Sequence, residues 1–241
     1  MNPLLRFKLH IFDLDDTLLD TSFAYTTAQK TAIQEAFPDL SEAETSVQLS
    51  RLRWLSKKFG TGNVLDYMRA YLMSLIEPTV DIENTLALME SVYNNSYWSL
   101  LGSMDGAIKY LQAITEHGRR ISLVSNGNED TQRKKIKYSE LDRYFPDNAC
   151  YISGQFSMEK KKPSPFMIEK ACQDIGISRD QSVFYGNSID DVLSGNLAGV
   201  TTALIGSSDS SIQDVPNIAV PDYVFKNWYG DFTPIADENR G

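Results

Sequence analysis

Residues 9–17 run Leu9-His10-Ile11-Phe12-Asp13-Leu14-Asp15-Asp16-Thr17, and this stretch decides the fold. The apolar run 9–12, closed by polar residues, has the pattern of a strand buried on both faces of a parallel sheet. Side chains two apart on an extended chain share a face, so the carboxylates of Asp13 and Asp15 are expected to converge just past the strand's end. Two carboxylates brought together cost free energy unless a cation or a shared proton offsets them. A divalent metal is the expected offset, which makes the strand end a candidate phosphate-handling site. Asp is also common in the turns that end strands, so the pair needs support from the rest of the chain.

Outward from this strand the chain changes character twice. Residues 22–100 carry apolar side chains at three- and four-residue spacing, which predicts helices over 23–36, 42–59, 64–75 and 82–97. Breaks fall at Phe37-Pro38, Gly60-Thr61-Gly62-Asn63 and Glu77-Pro78. From Asp105 onward helix and strand alternate. Helices are expected over 107–117, 130–138, 164–175 and 190–198, and strands over 120–124, 150–153, 182–185, 201–205 and 223–225. Gly118 supplies a helix C-terminus, and Ser164-Pro165 an N-cap followed by proline in the first turn.

The alternation implies an α/β, Rossmann-like three-layer core with a mainly parallel sheet, and the insertion implies an all-helical cap domain. The expected core is residues 1–20 with 102–241, and the expected cap is 21–101, with hinges at 19–21 and 101–103. In such sheets the ligand sits beyond the carboxyl ends of the strands, at the point where the strand order reverses. The cap is expected to hang over that same edge.

Three more polar clusters fall where an active site at that edge would collect them. Ser125-Asn126-Gly127 follows the strand 120–124 and precedes a helix, a natural cradle for phosphate. Lys162-Pro163-Ser164-Pro165 places an ammonium just before a helix start. Gly186-Asn187-Ser188-Ile189-Asp190-Asp191 follows the strand 182–185 with further oxygen ligands. Each has an ordinary alternative: a turn, a solvated lysine run at 160–162, or acidic residues that complement a helix dipole. Their order, three of them at predicted strand ends, favours a site.

The whole chain narrows the field. Its 241 residues carry a formal net charge of −9, with a pI near 4.8. Such a balance argues against nucleic acid and anionic membranes as partners. An acidic protein that binds an anionic substrate must build local positive potential from a metal, a lysine or backbone amides. Arg6, Lys8 and His10 interrupt any signal-peptide core, and no apolar run reaches the roughly 20 residues of a membrane helix. A cytoplasmic location is expected. The two cysteines, Cys150 and Cys172, lack C-x-x-C spacing and are expected to be reduced thiols. His10 and His117 have no catalytic partner in the sequence and are expected to be structural. The sequon Asn94-Asn95-Ser96 carries little weight. Nothing points to an oligomeric state.

Taken together, the four clusters resemble the signatures of the haloacid dehalogenase-like hydrolases, in the phosphatase branch with a helical cap inserted after the first motif. The resemblance covers nearly the whole chain. It implies that Asp13 is the nucleophile and forms an aspartyl-phosphate, and that Asp15 protonates the leaving alcohol and then activates water. It implies that Ser125, with the amides of Asn126 and Gly127, holds phosphate oxygens, and that Lys162 bridges phosphate and nucleophile. Mg²⁺ would be held by Asp13, the Asp15 carbonyl, Asn187 and Asp191. One position departs from the pattern: the fourth signature usually begins Gly-Asp, and here Asn187 replaces that Asp, with one charge fewer for the metal.

The expected function is hydrolysis of a small soluble phosphate ester. A phosphomutase would share every core residue, and a dehalogenase would need neither Asp15 nor Mg²⁺. A non-catalytic binding protein on the same fold is favoured only by Asn187. Cap residues Arg51, Arg53, Trp54, Lys57, Tyr67 and Tyr71 are either contacts for the distal part of the substrate or ordinary surface and packing residues.

Overall fold

In the computed structural model, which describes residues 3–75, 81–206, 216–229 and 233–234, the chain divides into two units. One comprises Met1–Asp20 with Ser103–Gly241, the other Thr21–Gly102.

The first unit is built on one sheet. Strands β1 (Leu9–Phe12), β2 (Arg120–Ser125), β3 (Cys150–Ile152), β4 (Ser182–Gly186), β5 (Thr201–Ile205), β6 (Tyr223–Phe225) and β7 (Thr233–Pro234) lie in the order β3-β2-β1-β4-β5-β6-β7. All neighbours run parallel except β6 and β7. The two residues of β7 are too few to signal a strand in sequence.

Every residue of β1 is buried, and period-two alternation sorts them between two faces. Leu9 and Ile11 join Val124 and Phe184 in a cluster with Met167, Ile168, Ala171 and Cys172. His10 and Phe12 face the other way, where the Phe12 ring stacks on Tyr185 at 4.6 Å between centroids, with Phe145, Tyr110 and Trp228 around them. Burying one such ring contributes about 2–3 kcal/mol. Double-sided burial explains why 9–12 is a continuous apolar run and not an alternating one.

Helices α1 (Thr21–Ala36), α2 (Glu42–Phe59), α3 (Val64–Met73) and α4 (Ile82–Leu100) make up the second unit. Ser41 and Glu44 form a reciprocal capping box that starts α2, and Asp81 caps α4. Tyr25 and Tyr93 meet edge to face at 6.0 Å, joining α1 to α4. Tyr71 is buried against Phe37 and donates to Gln48 Oε1 at 3.2 Å; it is a packing residue. Tyr67 is likewise fully buried. Arg51, Arg53, Trp54 and Lys57 are exposed.

The remaining helices, α5 (Ala107–Glu116), α6 (Glu129–Tyr138), α7 (Phe166–Ile175) and α8 (Ile189–Ala198), belong to the sheet unit. Element ends depart from the sequence expectations by three residues at most, as at α4, where packing carries the helix three residues past Tyr97. The expected break at Glu77-Pro78 lies outside the described residues. Cys150 and Cys172 are unpaired and buried. Among the described residues no helix is long and apolar enough to cross a membrane.

Candidate active site

The chain leaves β1 for β2 and β3 on one side and returns to β4 on the other. The carboxyl ends of β1 and β4 therefore flank the point where strand order reverses. Asp13 sits at the end of β1, and its N–H extends the pairing by donating to the Tyr185 carbonyl at 2.8 Å. The turn that follows is tightly held. Asp16 adopts φ of 56°, a left-handed conformation that Asp tolerates, and Asp16 N–H donates to the Leu19 carbonyl at 2.7 Å. Trp228 Nε1 donates to the Thr17 carbonyl at 2.9 Å, tying this turn to the aromatic cluster beneath it.

The Asp13 carboxylate is almost wholly buried. Its Oδ1 accepts from Lys162 Nζ at 2.5 Å and its Oδ2 from Thr17 Oγ1 at 3.1 Å. Lys162, brought in by the loop ahead of α7, also donates to Asp191 Oδ1 at 2.6 Å. Burial pushes the Asp13 carboxyl up to about 7; Lys162 opposes this, while the nearby Asp191 and Asp15 add to it. Burial alone would lower the Lys162 ammonium, but Asp13 and Asp191 outweigh it and hold it above the ordinary lysine range.

Asp191 occupies the first turn of α8, where it and Ser188 form a capping box. Its Oδ2 accepts from Asn187 N–H at 3.2 Å, Ser188 N–H at 3.1 Å and Ser188 Oγ at 2.6 Å. With Oδ1 held by Lys162, both oxygens are committed. The Asp191 carboxylate thus anchors the loop and the lysine beside Asp13. Gly186 makes this possible, because a Cβ there would lie 2.3 Å from Asp191 Cβ. Asp190, its neighbour, is exposed.

The Asn187 carboxamide oxygen lies 3.4 Å from Thr17 Oγ1, the same hydroxyl that meets Asp13 Oδ2. Asn187 and Asp13 are thus brought together. Among the described residues no three acidic, histidine or cysteine side chains are arranged to hold a metal ion. The residues do fit a hydrated hard cation, which needs only one or two carboxylates with neutral oxygens. Asp13, Asp15 and Asp191 bring three carboxylates against two ammoniums, Lys162 and Lys135, an imbalance that a cation would offset.

The second motif lies at the end of β2. Ser125 is fully buried at the end of β2, where its Oγ accepts from Gln132 Nε2 at 2.7 Å, leaving its O–H to donate. The Gly127 amide donates to Ser153 Oγ at 2.9 Å. The Asn126 side chain clamps the Lys162 backbone, accepting from its N–H at 2.9 Å and donating to its carbonyl at 3.2 Å.

Asp15 carries the feature that sequence reasoning missed. Its Oδ1 accepts from Lys135 Nζ and its Oδ2 from Gln132 Nε2, both at 2.7 Å. Lys135 stands in Arg133-Lys134-Lys135, which in sequence matches a solvated basic face. The one available signal was the three-residue spacing of Gln132 and Lys135 on a helix that follows a motif.

The chain is similar to known proteins along most of its length. Residues 10–205 match the family model described as haloacid dehalogenase-like hydrolase. The glyceraldehyde 3-phosphate phosphatase of Pyrococcus furiosus is 26% identical over 220 residues, 91% of this chain and 89% of that one. Phosphoglycolate phosphatase 1 of Pseudomonas aeruginosa is 26% identical over 234 residues, 96% of this chain and 80% of that one. Among solved structures, the YfnB protein of Bacillus subtilis, described as a HAD-hydrolase and bound to magnesium, shares the fold. It superposes with a TM-score of 0.68 at 22% identity, covering 92% of this chain and 96% of that one. With the match running from the first strand through the fifth, and the motifs gathered at one sheet edge, the chain belongs to the haloacid dehalogenase-like hydrolase family.

Proposed function

We propose that the protein is a Mg²⁺-dependent phosphatase that hydrolyses a small soluble phosphate monoester through an aspartyl-phosphate on Asp13. The observation that carries this is the Asp13 carboxylate, buried and held by Lys162 and Thr17, in the electrostatic reach of a second carboxylate, Asp15. The relatives named phosphatases of glyceraldehyde 3-phosphate and phosphoglycolate support a small ester as substrate.

Asp13 attacks phosphorus, and the bond from phosphorus to the leaving oxygen breaks. Asp15, in its protonated form, gives that oxygen its proton. Water then attacks the phosphorus of the aspartyl-phosphate, Asp15 takes its proton, and the bond to Asp13 breaks to release inorganic phosphate. Lys162 offsets the repulsion between carboxylate and phosphate, and the Ser125 hydroxyl donates to a phosphate oxygen. Asp13, the Asp15 carbonyl and Asn187 would hold the Mg²⁺. When bound it supplies positive charge that neutralises the phosphate and aligns it with the nucleophile.

The test is hydrolysis of an aryl phosphate with and without EDTA, in the native protein, Asp13→Asn and Asp15→Asn. EDTA and Asp13→Asn should each reduce turnover to background. Asp15→Asn should stall after phosphorylation, with one added phosphoryl group by intact mass. Full activity in EDTA, or near-native turnover by Asp13→Asn, overturns the proposal.

A further inference from the structure

We propose that Gln132 and Lys135, one turn apart on α6, are positioning residues for Asp15, and that Gln132 ties the orientation of Asp15 to that of Ser125. This rests on Asp15 being the proton donor and acceptor proposed above.

The two carboxylate oxygens of Asp15 are gripped separately. Lys135 Nζ holds Oδ1 and Gln132 Nε2 holds Oδ2, each at 2.7 Å. A single contact would leave the carboxylate free to rotate; two contacts from one rigid helix fix its plane. The Gln132 amide also donates to Ser125 Oγ at 2.7 Å and approaches the Asn126 carbonyl at 3.1 Å. One amide group therefore spans the residue proposed to hold phosphate and the one proposed to serve the leaving oxygen.

Both side chains are out of place for an otherwise polar helix. Gln132 is 2% exposed and Lys135 8%, and lysine is rarely buried unless it is paired. The surroundings make room for them. Gly127 has φ of 151°, and a Cβ there would lie 3.0 Å from Gln132 Cγ and Cδ. The helix itself is held in place: Asn128 caps its N-terminus, and Glu129 accepts from both Arg133 and Gln155. The spacing of three residues puts Gln132 and Lys135 on the same face.

A purely structural ion pair would depress every step alike. Positioning of a proton donor has a narrower signature, because only poor leaving groups need the proton. The test compares Lys135→Met, Gln132→Met and Lys135→Arg with the native protein, in Mg²⁺, on glycerol 2-phosphate and p-nitrophenyl phosphate. On the alkyl ester each Met variant should lose about 10- to 100-fold in kcat, with KM changed less than about threefold. The pre-steady-state burst of p-nitrophenolate, which needs no proton donor, should stay within about threefold of native. Lys135→Arg should recover most of the alkyl-ester rate.

Equal losses in burst and alkyl-ester rates, or no loss in either, overturn the positioning role. If Lys135→Met does not fold, Gln132→Met and Lys135→Arg decide by the same comparison. Asp13→Asn, run alongside, separates the two claims: if it retains turnover, the aspartyl-phosphate mechanism on Asp13 falls whatever α6 does.

Discussion

Lys162 Nζ lies 2.6 Å from Asp191 Oδ1, with both side chains less than a twentieth exposed. The same ammonium holds Asp13, so one lysine links Asp191 to the nucleophile. Its second oxygen is filled by the loop 187–188. Buried ion pairs of this kind bring little net stability, because desolvation cancels most of the attraction, but losing one partner is costly. Four expected outcomes follow from this site and the packing beneath it.

Lys162→Met leaves Asp13 and Asp191 buried without their cation. It should destabilise the protein by about 3–5 kcal/mol at neutral pH, and turnover should be lost. Urea unfolding checks the first effect. A loss below about 1 kcal/mol would mean that the two carboxylates find other compensation.

Gly186→Ala places a methyl group 2.3 Å from Asp191 Cβ. The loop must shift, so Asp191 releases Lys162. A stability loss of about 1–3 kcal/mol is expected, accompanied by a fall in kcat larger than that of an alanine at the open position Gly62, where a Cβ meets nothing. Parallel melting curves and assays decide it.

Asn187→Asp restores a charged oxygen beside Thr17 and Asp13. Mg²⁺ affinity should rise by about tenfold, measured by calorimetric titration. Unchanged affinity would remove Asn187 from the metal's ligands.

His10 should make the fold acid-sensitive. Its ring nitrogens meet Tyr185 Oη at 2.8 Å and the Phe7 carbonyl at 3.2 Å. Burial lowers its pKa to about 4; the Phe7 hydrogen bond opposes this and Arg119 adds to it. The unfolded chain takes up the proton as pH falls through about 6.5, whereas the folded protein resists until near 4. Stability present above pH 6.5 is therefore lost as pH falls toward 4, by up to about 3 kcal/mol. In urea unfolding at pH 7.5 and 4.5, His10→Asn should show a smaller drop than the native protein. Equal drops would assign the acid sensitivity to other groups.

Much of the site was legible because strand ends announce themselves. Asp13, Ser125 and Asn187 each close a short apolar run, and Lys162 precedes a helix start. In a parallel sheet, chain order alone sends such positions to one edge. Asp191 was visible as an acidic residue in a helix's first turn, but the four donors it accepts from were not. The partner of the Gly127 amide was hidden for the same reason, since the Ser153 hydroxyl that takes it up comes from another strand's loop.

Local pattern thus determined the α/β alternation, the helical insertion after β1 and which residues lie at the sheet's edge, because periodicity and breakers act over a few neighbouring residues. Tertiary structure alone decided which polar atoms are satisfied and by whom. Lys135 looks like its solvated neighbours Arg133 and Lys134 until α6 docks it 2.7 Å from Asp15, a residue 120 positions away. Burial and long-range pairing are properties of the packed chain, and they convert an unremarkable basic helix into the support of the proposed proton donor.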